Sequence, residues 1–194
     1  MKKDIIEKLL KEKHILSVLD IKKILNIKKD NTLYKSLERF VKKGILNRVA
    51  NGVYCSSLYT PEKFEIANTL YQPSYISFES ALNFYGILIQ TPFIATSATL
   101  KKTKLLETSY GEFQYTHIDE KKFFGYEKIR NFLIATPEKS LIDELYLVSK
   151  GFREISIEGL ELKTINIKLL KRYAKKMHYE PIWKILQKVG IKND

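Results

Sequence analysis

A single cysteine, Cys55, stands among 194 residues, so no intramolecular disulfide framework can hold the chain. That scarcity fits a reducing cytosol, and Cys55 falls in an apolar strand pattern where a small core residue serves. Histidines are equally few. His14, His117 and His178 are scattered, and no His/Cys cluster has metal-ligand spacing. A glycine-rich loop followed by lysine, which would cradle a nucleotide phosphate, is also missing. No metal, cofactor or catalytic constellation is therefore expected. The opening MKKDIIEKLLKEKH mixes acids and bases every few residues and lacks the apolar stretch of a secretory signal. A long apolar run is absent too. Residues 80–100 are uncharged, but they contain Asn83 and a turn pattern at Gln90-Thr91-Pro92. They read as a buried helix end followed by a buried strand, not as a membrane span.

What the chain has in quantity is positive charge. The net charge is +12, with 44% hydrophobic and 12% aromatic residues. That apolar content can build a core, while the charge calls for an anionic partner such as nucleic acid. The excess is uneven. Residues 1–60 hold 14 Lys or Arg against 6 Asp or Glu, and the remaining 134 residues hold 20 against 16.

Apolar spacing predicts helices over 3–12, 18–26 and 31–43, the last with Leu33, Leu37, Phe40 and Val41 as its buried stripe. Gly44 stands where a helix-ending residue should. Strands over 45–49 and 53–55 flank Asn51-Gly52, a strong hairpin signal because both residues tolerate positive φ. Three helices followed by a hairpin is the order of a winged helix-turn-helix. The tetrapeptide Thr-Pro-Glu-Lys occurs at 60–63 and again at 136–139, and both copies read as helix starts with Thr as N-cap and Pro at the first position. Further helices are expected over 61–71, 78–85 (N-cap Ser77), 137–149, 166–177 and 180–189. Strands are expected over 93–99, 112–118 and 129–135, with Lys101, Lys102 and Lys104 in a loop. The fold expected is α+β: a winged helix-turn-helix over 1–58, then a mixed α/β domain over 59–194 that ends in helices.

On the wheel of the 31–43 helix, Thr32, Lys35, Ser36, Arg39 and Lys43 share one arc of about 100°. Such a helix docks in the major groove by its N-terminal half. Arg39 suits the two acceptors of a guanine edge, and Thr32 and Ser36 suit base edges or phosphate. Lys28, Lys29 and Lys43 suit phosphates, as do Arg48 and Asn51 on the hairpin, and Asn31 and Lys35 complete the set of DNA-binding candidates. A second stripe, Lys168, Lys171, Arg172, Lys175 and Lys176, repeats at i, i+3, i+4, i+7, i+8 without an acid, opposite Leu169, Tyr173 and Met177. It suits an extended DNA surface or an acidic partner. Glu112, Gln114 and Asp119 are the weaker candidates for a metal-dependent nuclease. Asp143 and Glu144, adjacent on a helix, diverge by about 100° and are read as partners for cations on neighbouring elements.

Two stretches, SYISFESALNFYGIL at 74–88 and IATPEKSLIDELYL at 134–147, resemble the AbiEi family. These are antitoxins of type IV toxin–antitoxin systems, also described as regulators of viral defence. GILNRVANGVY at 44–54 resembles that family's wing, so the likeness spans about residues 10–150. It implies a winged helix followed by an α/β domain, binding to operator inverted repeats in double-stranded DNA, and repression of the protein's own operon. It also implies counteraction of a nucleotidyltransferase-like toxin; the scarce cysteine and the missing motifs add the expectation of a cytoplasmic protein with no cofactor and no membrane partner. Ser77, Glu79, Ala81 and Gly86 match the first motif. Pro137, Glu138, Lys139, Leu141 and Asp143 match the second, and both motifs read as architectural. The alternative is a plain winged-helix regulator whose second domain senses a ligand or a protein.

Overall fold

The computed structural model describes residues 14–156, 159–188 and 190–192. The helix expected over 3–12 lies outside them. The described residues form a mixed α+β structure with seven α-helices and two sheets. The chain divides into two compact units: residues 1–72 with 107–111, and residues 73–106 with 112–194. The sequence pattern put a boundary after residue 58; the division of contacts comes later, after Gln72.

The first unit opens on β1 (Ile15–Ser17), a strand too short for periodicity to reveal. Helix α1 (Val18–Ile24) follows directly. Its N-cap Ser17 accepts from the Asp20 amide while Asp20 accepts from the Ser17 amide, a reciprocal box that satisfies two otherwise orphaned donors. Helix α2 (Asp30–Lys42) comes next, with Asp30 in its first turn where the helix dipole favours an acid. Gly44 ends it at φ +63°, a conformation a Cβ would strain. Strands β2 (Leu46–Ala50) and β3 (Val53–Ser56) form the expected hairpin. Only Gly52 takes positive φ at its turn, so the Asn51-Gly52 pair is not the doubly left-handed turn its sequence suggests. The register shifts between Arg48 and Ala50. β1 pairs antiparallel with β3, giving a three-stranded sheet in the order β1-β3-β2. Leu16, Ile21, Leu33, Leu37, Phe40 and Leu46 make the core between helices and sheet. Val41, expected in the stripe, lies at its edge and is exposed.

Helix α3 (Lys63–Leu70) starts two residues later than the Thr60-Pro61 signal predicts. The Glu65 carboxylate accepts from the Glu62 amide and from the Tyr59 hydroxyl, which makes Glu62 the cap. The second copy behaves as read: Thr136 caps the helix at the Lys139 amide, with Pro137 at the first position.

Apart from residues 107–111, which group with the first unit, a six-stranded mixed sheet forms the base of the second unit. Its strands are β4 (Ser74–Ile76), β5 (Ala95–Thr99), β6 (Lys104–Thr108), β7 (Gly111–His117), β8 (Tyr126–Ile129) and β9 (Phe132–Ala135), in the order β6-β7-β5-β4-β9-β8. The single strand expected over 129–135 is a hairpin. Ile129 pairs with Phe132 across Arg130-Asn131, and Arg130 takes φ +51°. Lys104, read as loop, begins edge strand β6. Helix α4 (Phe78–Phe84) and helix α5 (Pro137–Ser149) pack together, and α5 also meets α6 (Ile167–Lys176) and α7 (Pro181–Lys188). Every residue of α5 from Glu138 to Leu147 is buried, as a helix enclosed on all sides must be. The uncharged stretch 80–100 resolves into the end of α4, a loop and β5. No helix among the described residues is long and apolar enough to cross a membrane.

Candidate nucleic-acid interface

Helix α2 turns a polar face outward because Leu33, Leu37 and Phe40 fix its other side in the core. Asn31, Thr32, Lys35, Arg39 and Lys43 are all exposed, as are Lys28 and Lys29 just ahead of the helix. Ser36 is different. It is 8% exposed, and its hydroxyl donates to the Thr32 carbonyl at 2.8 Å. At 100° per residue it lies about 40° past Thr32, the first position of the buried arc. Its hydroxyl therefore faces the helix backbone, not the open side. Three residues the sequence reading passed over share the exposed arc: Tyr34, Glu38 and Lys42. At 100° per residue they continue the arc beyond Lys35.

On the hairpin, Arg48 and Asn51 are exposed, and the Arg48 guanidinium donates to the Asn51 side-chain oxygen at 3.0 Å. The two candidates thus act as one unit, with Asn51 holding the arginine. Lys22 is already engaged, 2.5 Å from Asp30. The face can offer phosphates several exposed ammonium groups and one preorganised guanidinium, and can offer base edges Arg39 and Thr32.

The stripe on α6 is also real in space. Lys168, Arg172, Lys175 and Lys176 are exposed and Lys171 is half-buried. The residues buried behind it are Leu170, Ala174 and Met177, whereas Leu169 and Tyr173 are only half-buried. The Lys176 ammonium sits 4.2 Å from the Phe124 ring centre, so it is partly held by a ring face.

The weaker nuclease candidates do not gather. Glu112 and Gln114 lie on the open side of β7, but Asp119 is tied to Lys122 at 2.6 Å. Among the described residues no three metal-binding side chains cluster. Cys55 is buried in β3, and burial pushes its thiol pKa up, away from reactivity.

The stretches 74–88 and 134–147 meet inside the second unit, in a polar network that sequence reading missed. The Lys139 ammonium is fully buried and pairs with Asp143 one turn on in α5. It also lies 3.0 Å from the Tyr75 hydroxyl of β4. Asp143 Oδ2 accepts from Tyr75 at 3.0 Å and from Ser77 Oγ at 2.7 Å. Ser77 is the N-cap residue of α4, yet its hydroxyl serves the carboxylate across the interface instead of its own helix. Burial is the main cause of the lowered Lys139 pKa, opposed by Asp143, and of the strongly raised Tyr75 pKa. Next to Asp143 on α5, Glu144 lies 3.2 Å from Arg153, which is also 3.3 Å from Glu79. Burial pushes Glu144 up to about 7, with Arg153 pulling it back and Glu79 adding to the rise. Nothing in the local pattern marks these partners, which lie up to 68 residues apart.

No protein-family profile matches the chain, and no curated protein resembles it closely enough to count as a relative.

Proposed function

We propose that the first unit is a winged helix-turn-helix that binds duplex DNA, and that the chain is an AbiEi-type antitoxin. In this reading it represses its own operon and counteracts a nucleotidyltransferase-like toxin in the cytoplasm. One observation carries the DNA-binding part. The order β1-α1-α2-β2-β3, with β1 closing the sheet against β3, leaves exposed both the basic side of α2 and the Arg48–Asn51 corner of the hairpin. A helix-turn-helix uses its second helix in the major groove and the following hairpin along the backbone. Arg39 and Thr32 then read base edges, while Lys28, Lys29, Lys35, Lys43 and Arg48 neutralise phosphates. Ser36 has no part in contact, because its hydroxyl is spent within the helix.

The antitoxin part is supported by the two central motifs, whose matched residues Ser77, Lys139 and Asp143 form one buried network. A mobility-shift titration on the DNA upstream of the gene tests the first claim; equal binding to that DNA and to scrambled duplex would overturn it. Co-expression with a neighbouring toxin reading frame tests the second. Rescue of growth supports the antitoxin, and repression without rescue makes the chain a plain regulator.

A further inference from the structure

The second unit carries a cleft that DNA binding does not use. It has a volume of about 290 Å³ and lies beside the loop between α4 and β5. Leu88, Pro92 and Phe93 form its apolar wall, and Glu79, Gln90 and Gln114 supply its polar groups. Its size is near the lower end for small-molecule sites, and its mix of apolar wall and few polar groups is typical of them. Phe93 is 94% exposed and Ile89 in the same loop 75%, so the apolar wall stands open to solvent instead of closing a core.

Charge decides what would enter. The polar lining holds one ionisable group, the Glu79 carboxylate, with two neutral amides and the Thr91 hydroxyl. Behind Glu79, a single guanidinium serves two carboxylates, since Arg153 reaches both Glu79 and Glu144. The other oxygen of Glu144 is buried without a hydrogen-bond partner. Once Glu144 ionises, the trio carries one net negative charge, in a chain that is otherwise strongly positive. An anion would be repelled by the Glu79 carboxylate, and a neutral apolar ligand would desolvate Glu79 while leaving it only its share of the Arg153 guanidinium.

We propose that this cleft binds a small cation with an apolar body, an alkylguanidinium or alkylammonium group, with its charge on Glu79 and its carbon chain against Leu88, Pro92 and Phe93. The amides of Gln90 and Gln114 accept the donors that Glu79 leaves over. The same chemistry has two sources, a free amine or guanidine and a Lys or Arg side chain of another polypeptide. The site is independent of the DNA-binding reading.

The test titrates n-butylguanidinium, N-acetyl-arginine amide and n-butanol into the full-length, isotope-labelled chain, with amide resonances read by NMR. The two cations should shift the resonances around Glu79, Gln90 and Gln114 at millimolar concentration, and n-butanol should bind about tenfold or more weakly. Tighter binding of the acetyl-arginine amide assigns the site to a polypeptide side chain. Tighter binding of n-butylguanidinium assigns it to a free base. Glu79→Gln should lower cation affinity about tenfold or more while leaving n-butanol unchanged. Because Glu79 also contacts Arg153, Phe93→Ala serves as the second variant: its side chain is solvent-exposed, and it should weaken all three probes several-fold. Equal binding of butanol and the cations would overturn the proposal, as would cation binding untouched by both substitutions, or no shifts at all.

Discussion

The two units use charge in opposite ways. In the first, Lys28, Lys29, Lys35, Arg39, Lys43 and Arg48 stand in solvent on one helix and one hairpin. In the second, Lys139, Asp143, Glu144 and Arg153 are drawn inside and matched to one another. Exposed cations add little to folding and remain available to a polyanion. Buried charges are held to their partners, because a lone buried charge is expensive. The exposed charge of the first unit is thus open to a partner, whereas the buried charge of the second constrains packing, with the exposed stripe on α6 as the second unit's exception. Substitutions in each unit should fail in different assays.

The largest effect is expected inside the second unit. Asp143→Ala strands the Lys139 ammonium and frees two hydroxyls, and should cost about 3–5 kcal/mol, read from urea unfolding followed through Trp183. Lys139→Met with Asp143→Leu should recover most of that loss, since the pair as a whole is weak evidence for stability. If the single substitution is harmless, the contrast between the units fails.

Next comes Arg39→Ala. It should weaken operator binding by roughly 1–3 kcal/mol and relax the base preference, without shifting the unfolding midpoint. Equal loss on operator and random duplex would mean that Arg39 only neutralises phosphate. Replacing Lys28, Lys29 and Lys43 together by Gln should instead lower affinity for all sequences and reduce the salt slope by about three.

Glu144 makes the contrast visible in pH. Its folded pKa, about 7, lies above the ordinary carboxylate value, so the folded state holds a proton that the unfolded chain has released. Stability from this group is full below about pH 4.5 and is lost as pH rises through about 7, by on the order of 1–3 kcal/mol. Glu144→Gln should flatten that part of the unfolding profile, and an unchanged profile would remove Glu144 as its source. The smallest effect is expected at Ser36. Ser36→Ala removes only a hydroxyl bonded to its own helix, so operator affinity should change by less than about 0.5 kcal/mol.

The same contrast explains what could be read from the chain in advance. The first unit is local: an amphipathic stripe, a glycine stop and an Asn-Gly turn each lie within a dozen residues, and α2 and the β2–β3 hairpin fall where those signals put them. What escaped there was β1, three residues long, and the inward turn of Ser36, which lies at the margin of the wheel. In the second unit the helices were legible from caps and period. The short strand β4 and the Arg130-Asn131 turn were not, since neither carries a recognised signal. The polar network was the least legible part. Ser77 looked like a cap and Asp143 like a partner for some neighbouring element, whereas Ser77 and Asp143 serve each other across 66 residues and Lys139 comes from the same helix. Glu144 does find its cation on a following segment, at Arg153.

The most direct test is a salt titration of the intact chain on the duplex upstream of its gene, with a scrambled duplex of equal length beside it. Between 50 and 200 mM salt, affinity for the upstream duplex should fall by about 10³-fold or more if six phosphates are neutralised, and that duplex should be preferred throughout. A flat salt profile, or no preference between the two duplexes at any salt, would contradict DNA recognition by the basic first unit.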